Sequence, residues 1–154
     1  MVTKATVIYD AECGFCKWCL AVLLSADRSG GEPGRSCPPS KQVRWARSAG
    51  THALRPLPLG TPEADRLLAD LTVEERNASW HLVDESGERM SAGAALSPAL
   101  ALLPHGRIPA AVVARMPRLT ERGYRWVAEH RRLLGRFVPA RARRWADRVI
   151  AAPQ

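Results

Sequence analysis

Lysine is nearly absent from this chain. Of its 23 basic residues only Lys4, Lys17 and Lys41 are lysines, so the formal net charge of +8 is carried by arginine. Such a charge permits attraction to nucleic acid or to anionic membranes. No recognisable nucleic-acid motif accompanies it, so a nucleic-acid partner is not expected and the arginines read as solvating helix faces. Aromatics are sparse too, at 6%. Trp18, Trp45, Trp80, Trp126 and Trp145 fall in predicted helices or strands and are expected in or near the core rather than on a base-stacking platform.

Long hydrophobic runs are also missing. The first twenty residues hold no apolar run ahead of a small-residue cleavage site, which argues against a secretory signal. Ala92 to Leu103 is too short to span a bilayer and is interrupted by Ser97 and Pro98, so no membrane span is expected. The expected setting is therefore cytoplasmic and reducing, where the four cysteines read as catalytic or metal-binding rather than as structural disulfides.

With 154 residues, 46% of them apolar and 25% charged, the chain is expected to fold as a single domain over residues 1–154. "ATVIY" at Ala5 to Tyr9 is β-branched and aromatic and predicts a buried strand. From Gly14 the spacing becomes helical, with Phe15, Trp18, Cys19, Val22 and Leu23 on one stripe. Residues 28–41 are rich in Gly, Pro and Ser and predict a flexible loop insertion. Gln42 to Ala46 alternates as a second strand, and Leu54 to Gly60 is extended because its prolines disfavour helix.

Thr61 and Pro62 are a helix cap and first position, predicting a helix over 62–71 with Leu67, Leu68 and Leu71 inward. Trp80 to Val83, "DESG" and Glu88 to Ser91 read as a β-hairpin. Helices follow: one broken near Ser97-Pro98, one begun near Pro109, one from Thr120 to Gly135 using Tyr124, Val127, Ala128 and Leu134, and one from Pro139. The last two make up C-terminal helices over 118–150. The order implies an α/β fold with a mixed four-stranded sheet flanked by helices and a C-terminal helical extension.

The chemistry concentrates in "YDAECGFCKWC", Tyr9 to Cys19. Cys13 falls where the strand turns into the helix, and unpaired N–H groups and the macrodipole at a helix start stabilise a thiolate. That makes Cys13 the candidate nucleophile and Cys16, three residues on, the candidate resolving thiol. Asp10 is either a carboxylate relaying protons and tuning the thiols or an Asx-turn acceptor for nearby amides, roles that can coexist.

Cys13, Cys16 and Cys19 also form CxxCxxC, and Cys37 precedes Pro38, which leaves a cysteine-ligated iron-sulfur or zinc module as the rival. The helical stripe assigns Cys19 to the core as a small hydrophobe. Cys37 is open between a free thiol and a second resolving cysteine. His52, His81, His105 and His130 show no ligand spacing and read as surface or satisfied side chains, so no metal is assigned.

"YDAECGFC", "WHLVDESGERMSAGAAL" at Trp80 to Leu96 and "YRWVAEHRRLLGR" at Tyr124 to Arg136 together resemble the DCC family of thiol-disulfide oxidoreductases. The resemblance implies a thioredoxin-like fold and dithiol exchange, and carries over onto Asp10, Cys13 and Cys16. The implied substrate is a protein or small-molecule disulfide or thiol, and no organic cofactor is needed for such exchange. The remaining reading is a non-catalytic thioredoxin-like domain whose arginine-rich helices bind a partner; oligomeric state is left open.

Overall fold

The strand predicted at the N-terminus forms as β1, Ala5–Tyr9, and every residue of it except Thr6 is buried. The computed structural model describes residues 5–28 and 53–152. The expected strand at Gln42 to Ala46, most of the 28–41 insertion, Cys37, Trp45 and His52 lie outside those residues. α1, Gly14–Arg28, follows β1 and leads to β2, Leu54–Pro58. The stretch expected only to be extended is thus the strand that pairs with β1. The pairing is parallel, with Ala5 opposite Leu54 and Tyr9 opposite Pro58. Pro56 and Pro58 lack donors, which an edge strand tolerates, and β2 lies at the sheet edge.

The predicted hairpin forms as β3, His81–Val83, and β4, Arg89–Ser91, joined through Gly87 at φ +85°. β3 runs antiparallel to β1, so the mixed four-stranded sheet has the order β2-β1-β3-β4. Alternation along the strands divides the core. Ile8, Leu57 and Val83 pack with Ala64 and Leu68 on one face. Val7, Tyr9 and Leu82 pack with Leu20, Leu24 and Ala99 on the other.

The first face is covered by α2, Pro62–Leu67, capped as predicted: the Thr61 hydroxyl accepts the Ala64 N–H at 3.3 Å. α2 stops short of the expected Leu71. α3, Val73–Ala78, was not anticipated, although its start carries a capping box in which Thr72 and Glu75 satisfy each other's backbone N–H groups.

On the side of the second face lie a 3₁₀ turn at Ala92–Ala95, α4 at Leu96–Ala101, α5 at Arg107–Arg115, α6 at Pro117–Phe137 and α7 at Ala140–Ala151. Ser97-Pro98 does not break a helix as expected. Pro98 sits in the first turn of α4, where its missing N–H costs nothing. Gly93 admits α6, because a Cβ there would lie 2.8 Å from the Glu121 Cα. The C-terminal helices are not appended to the sheet's edge: α7 lies along α1, and α6 packs against the 3₁₀ turn and α1.

That packing corrects the expected inward stripe of α1. Leu20, Ala21 and Leu24 are its buried residues, while Trp18 is 36% and Val22 46% exposed. Helical spacing marks an apolar face, but here burial follows contact with the sheet and with α7. The expected burial of tryptophans fails at Trp18 and also at Trp126, which is 55% exposed and stacks on His130. Trp80 and Trp145 are half-buried. Among the described residues no helix is long and apolar enough to cross a membrane.

Candidate functional site: a dithiol beside an apolar cleft

At the end of β1 the chain must turn within a few residues into α1, and Asp10 organises the turn. Its Oδ1 accepts the N–H of Glu12 at 2.9 Å and of Cys13 at 3.3 Å. This is the Asx-turn reading of Asp10. The carboxylate also faces Arg131 of α6, with Oδ2 3.9 Å from Nη1, and lines a cleft described below. Arg131 in turn donates to the Asn77 carbonyl at 3.1 Å.

Cys13 takes the position just before α1. Its carbonyl accepts the Lys17 N–H at 3.0 Å, the first bond of the helix, and its Sγ accepts the Cys16 N–H at 3.2 Å. Sulfur therefore occupies the place of an N-cap acceptor, aimed at unpaired amides. A charge developing on this sulfur would face these amides and the positive end of the helix dipole.

The Cys16 Sγ is at bonding distance from that of Cys13, with the Cα atoms 5.2 Å apart, within the range for disulfides. Both residues are half-buried. One turn on, Lys17 pairs with Asp147 of α7 at 2.7 Å. Burial and the negative charge of Asp147 hold the Tyr9 phenol above its usual pKa.

Beside the dithiol lies a cleft of about 600 Å³. Val7 and Tyr9 of β1 contribute from the sheet, and Phe15, Cys16, Cys19 and Leu23 from α1. Leu96, Ala99 and Leu100 of α4 and Val112 and Val113 of α5 supply more of its apolar wall. Leu119, Gly123, Tyr124, Val127 and Ala128 of α6 complete it. A second concavity, of about 720 Å³, runs along α6 between Arg118, Arg125, Trp126 and Glu129; no cysteine lines it.

Cys19 is corrected by this arrangement. It was expected in the core; instead its side chain is exposed and lines the cleft. Desolvation among the apolar residues of the cleft wall pushes its thiol up to about 11, so it stays protonated at neutral pH. Among the described residues no three of His, Cys, Asp or Glu converge to hold a metal. His81 is buried and satisfied, its ring nitrogens meeting the Ser91 hydroxyl at 2.7 Å and the Arg76 carbonyl at 3.1 Å.

No family model, curated protein or solved structure matches the chain. What its own geometry adds is convergence. The Tyr124 hydroxyl accepts the Trp80 N–H at 3.2 Å, and Arg131 faces Asp10, so three segments distant in sequence meet around one cleft. Sequence reasoning missed Tyr124 and Arg131 as site residues. Continuing the α6 stripe of Tyr124, Val127 and Ala128 by one step reaches Arg131 and marks a charged group on an otherwise apolar face.

Proposed function

We propose that the protein is a thiol-disulfide oxidoreductase of thioredoxin-like fold, related to the DCC family, acting in a reducing, cytoplasmic setting. The observation that carries this reading is the Cys16 N–H donated to the Cys13 Sγ at the start of α1, with the two sulfurs at bonding distance. The β1-α1-β2 order with the dithiol at the first junction supports the fold, and the meeting of Asp10, Trp80, Tyr124 and Arg131 around one cleft supports the family resemblance.

In the forward direction the Cys13 thiolate attacks a substrate sulfur, forming a mixed disulfide and releasing the other substrate sulfur as a thiolate that takes up a proton. Cys16 loses its proton, attacks the Cys13 sulfur and releases the second thiol. The protein dithiol is oxidised by the two electrons that the substrate gains. Asp10 lines the cleft with Cys16 and serves as the acceptor for the Cys16 proton while holding the turn.

A cysteine-ligated metal module is disfavoured because Cys13 and Cys16 lie at bonding distance from each other and, among the described residues, no three of His, Cys, Asp or Glu converge. The test is exchange by single variants. Cys13→Ser abolishes exchange, whereas Cys16→Ser accumulates a mixed disulfide at Cys13 that mass spectrometry maps. Full activity in both variants, or stoichiometric metal in the purified protein, sinks the reading.

A further inference from the structure

The cleft is larger than dithiol exchange by itself requires, and its position and chemistry restrict what fills it. At about 600 Å³ it falls within the range that buries a small organic molecule. Val112, Met116 and Leu119, which line it, are 50%, 45% and 63% exposed and form an apolar lip. Contiguous exposed apolar patches of this kind mark ligand-binding grooves and interaction surfaces. At the dithiol end the charges of Asp10 and Arg131 face each other 3.9 Å apart, so that end is close to neutral and offers no unmatched charge to an ionic ligand.

An extended peptide is a poorer fit than a small molecule. Peptides that lie along a sheet pair with an exposed strand edge, and the edge strands here, β2 and β4, contribute nothing to the cleft. Its sheet residues, Val7 and Tyr9, belong to β1, which is paired on both sides.

Resting on the dithiol reading above, we propose that the cleft binds an uncharged, apolar small-molecule disulfide and holds its sulfurs beside Cys16, which lines the cleft and whose sulfur is at bonding distance from that of the attacking Cys13. Cys13 bonds to one substrate sulfur as the substrate S–S bond breaks, and the first apolar thiol leaves. Cys16 then bonds to Cys13, the mixed disulfide breaks, and the second thiol leaves; the electrons lost by the protein dithiol are those gained by the substrate.

Gly123 provides a direct test. A Cβ built there meets nothing within 4 Å, so Gly123→Phe fills the cleft without a backbone clash. Val127→Glu places a charge in the same cleft and is an independent variant should the first fail to fold, with thermal unfolding as the check. Two readouts apply. Nile red, an uncharged dye, is titrated into the wild type and displaced with dibenzyl disulfide. Pre-reduced protein is then mixed in single turnover with dibenzyl disulfide or bis(hydroxyethyl) disulfide, and the rate ratio is divided by that for free dithiothreitol.

The wild type is expected to bind Nile red saturably, to release it to dibenzyl disulfide, and to favour the apolar disulfide by about tenfold, a preference lost in either folded variant. Absent or non-displaceable dye binding, or a normalised ratio near unity in the wild type, overturns the proposal. A leucine-flanked peptide disulfide that outcompetes dibenzyl disulfide overturns the small-molecule assignment. A wild type that reacts with neither disulfide refutes the redox reading instead, and displacement of the dye then decides the cleft alone.

Discussion

The two faces of the sheet are built from neighbouring residues of the same strands and end in opposite states. Ile8 points to a face where Ala64 and Leu68 are completely buried. Val7 and Tyr9, on either side of it in sequence, point to a face that packs in depth against Leu20, Leu24 and Ala99 yet opens beside them into the cleft. The closed face is covered by the short helix α2, which has a strong local start signal in Thr61 with Pro62, and by Leu68 just beyond it. At the surface nearby, Arg55 of β2 pairs with Glu63 of α2 at 2.6 Å, and Arg89 of β4 pairs with Asp70 of the turn after α2 at 2.6 Å. Arg89 keeps the Asp70 carboxyl down at about 2.

The open face depends on long helices brought back from the far end of the chain, and the contact between Lys17 and Asp147 spans 130 residues. The difference teaches a division of labour: burial on one face contributes stability without chemistry, and incomplete burial on the other leaves room for a ligand beside the thiols.

Variants on each face test that division. The largest effect is expected from Leu68→Ala, which removes a completely buried side chain from the closed face. Urea unfolding should register a loss of about 2–5 kcal/mol, while the folded fraction exchanges disulfides at the wild-type rate. A matching loss of exchange would break the separation.

On the open side, Asp10→Asn keeps an acceptor for the Glu12 and Cys13 amides but removes the carboxylate. Release of the mixed disulfide is expected to slow by about a hundredfold with stability little changed, read by quenched-flow alkylation. Unaltered release would confine Asp10 to the turn.

Thr72→Ala deletes half of the α3 capping box and should cost about 1 kcal/mol in the same unfolding assay, again with no change in exchange.

The smallest effect concerns pH. Burial holds the His81 pKa below its ordinary 6.5, so the folded state keeps the ring neutral while the unfolded chain takes up a proton. The stability this supplies is complete above pH 6.5 and declines as pH falls from there toward the lowered folded value. Unfolding free energies measured across that window should fall with decreasing pH in the wild type and remain flatter in His81→Asn.

Local physics explains why much of this was legible. β-branched residues specify β1 as Ala5–Tyr9, "DESG" specifies the hairpin turn, and Thr61-Pro62 starts α2 where expected. Cys13 and Cys16 are joined by a spacing that any helix start reproduces. Pairing was less legible: Leu54–Pro58 joins β1 despite its prolines because an edge strand does not need their missing donors.

Thus the order of elements, the capped helices and the position of the dithiol follow from interactions between residues a few places apart, which the sequence by itself determines. Tertiary structure alone decides that Cys19 faces a cleft instead of the core, that Leu20 and Leu24 form the buried side of α1, and that Arg131 reaches Asp10. Helical periodicity defines an apolar stripe but not its covering. Here the covering comes from α6 and α7, whose distance along the chain leaves no local trace.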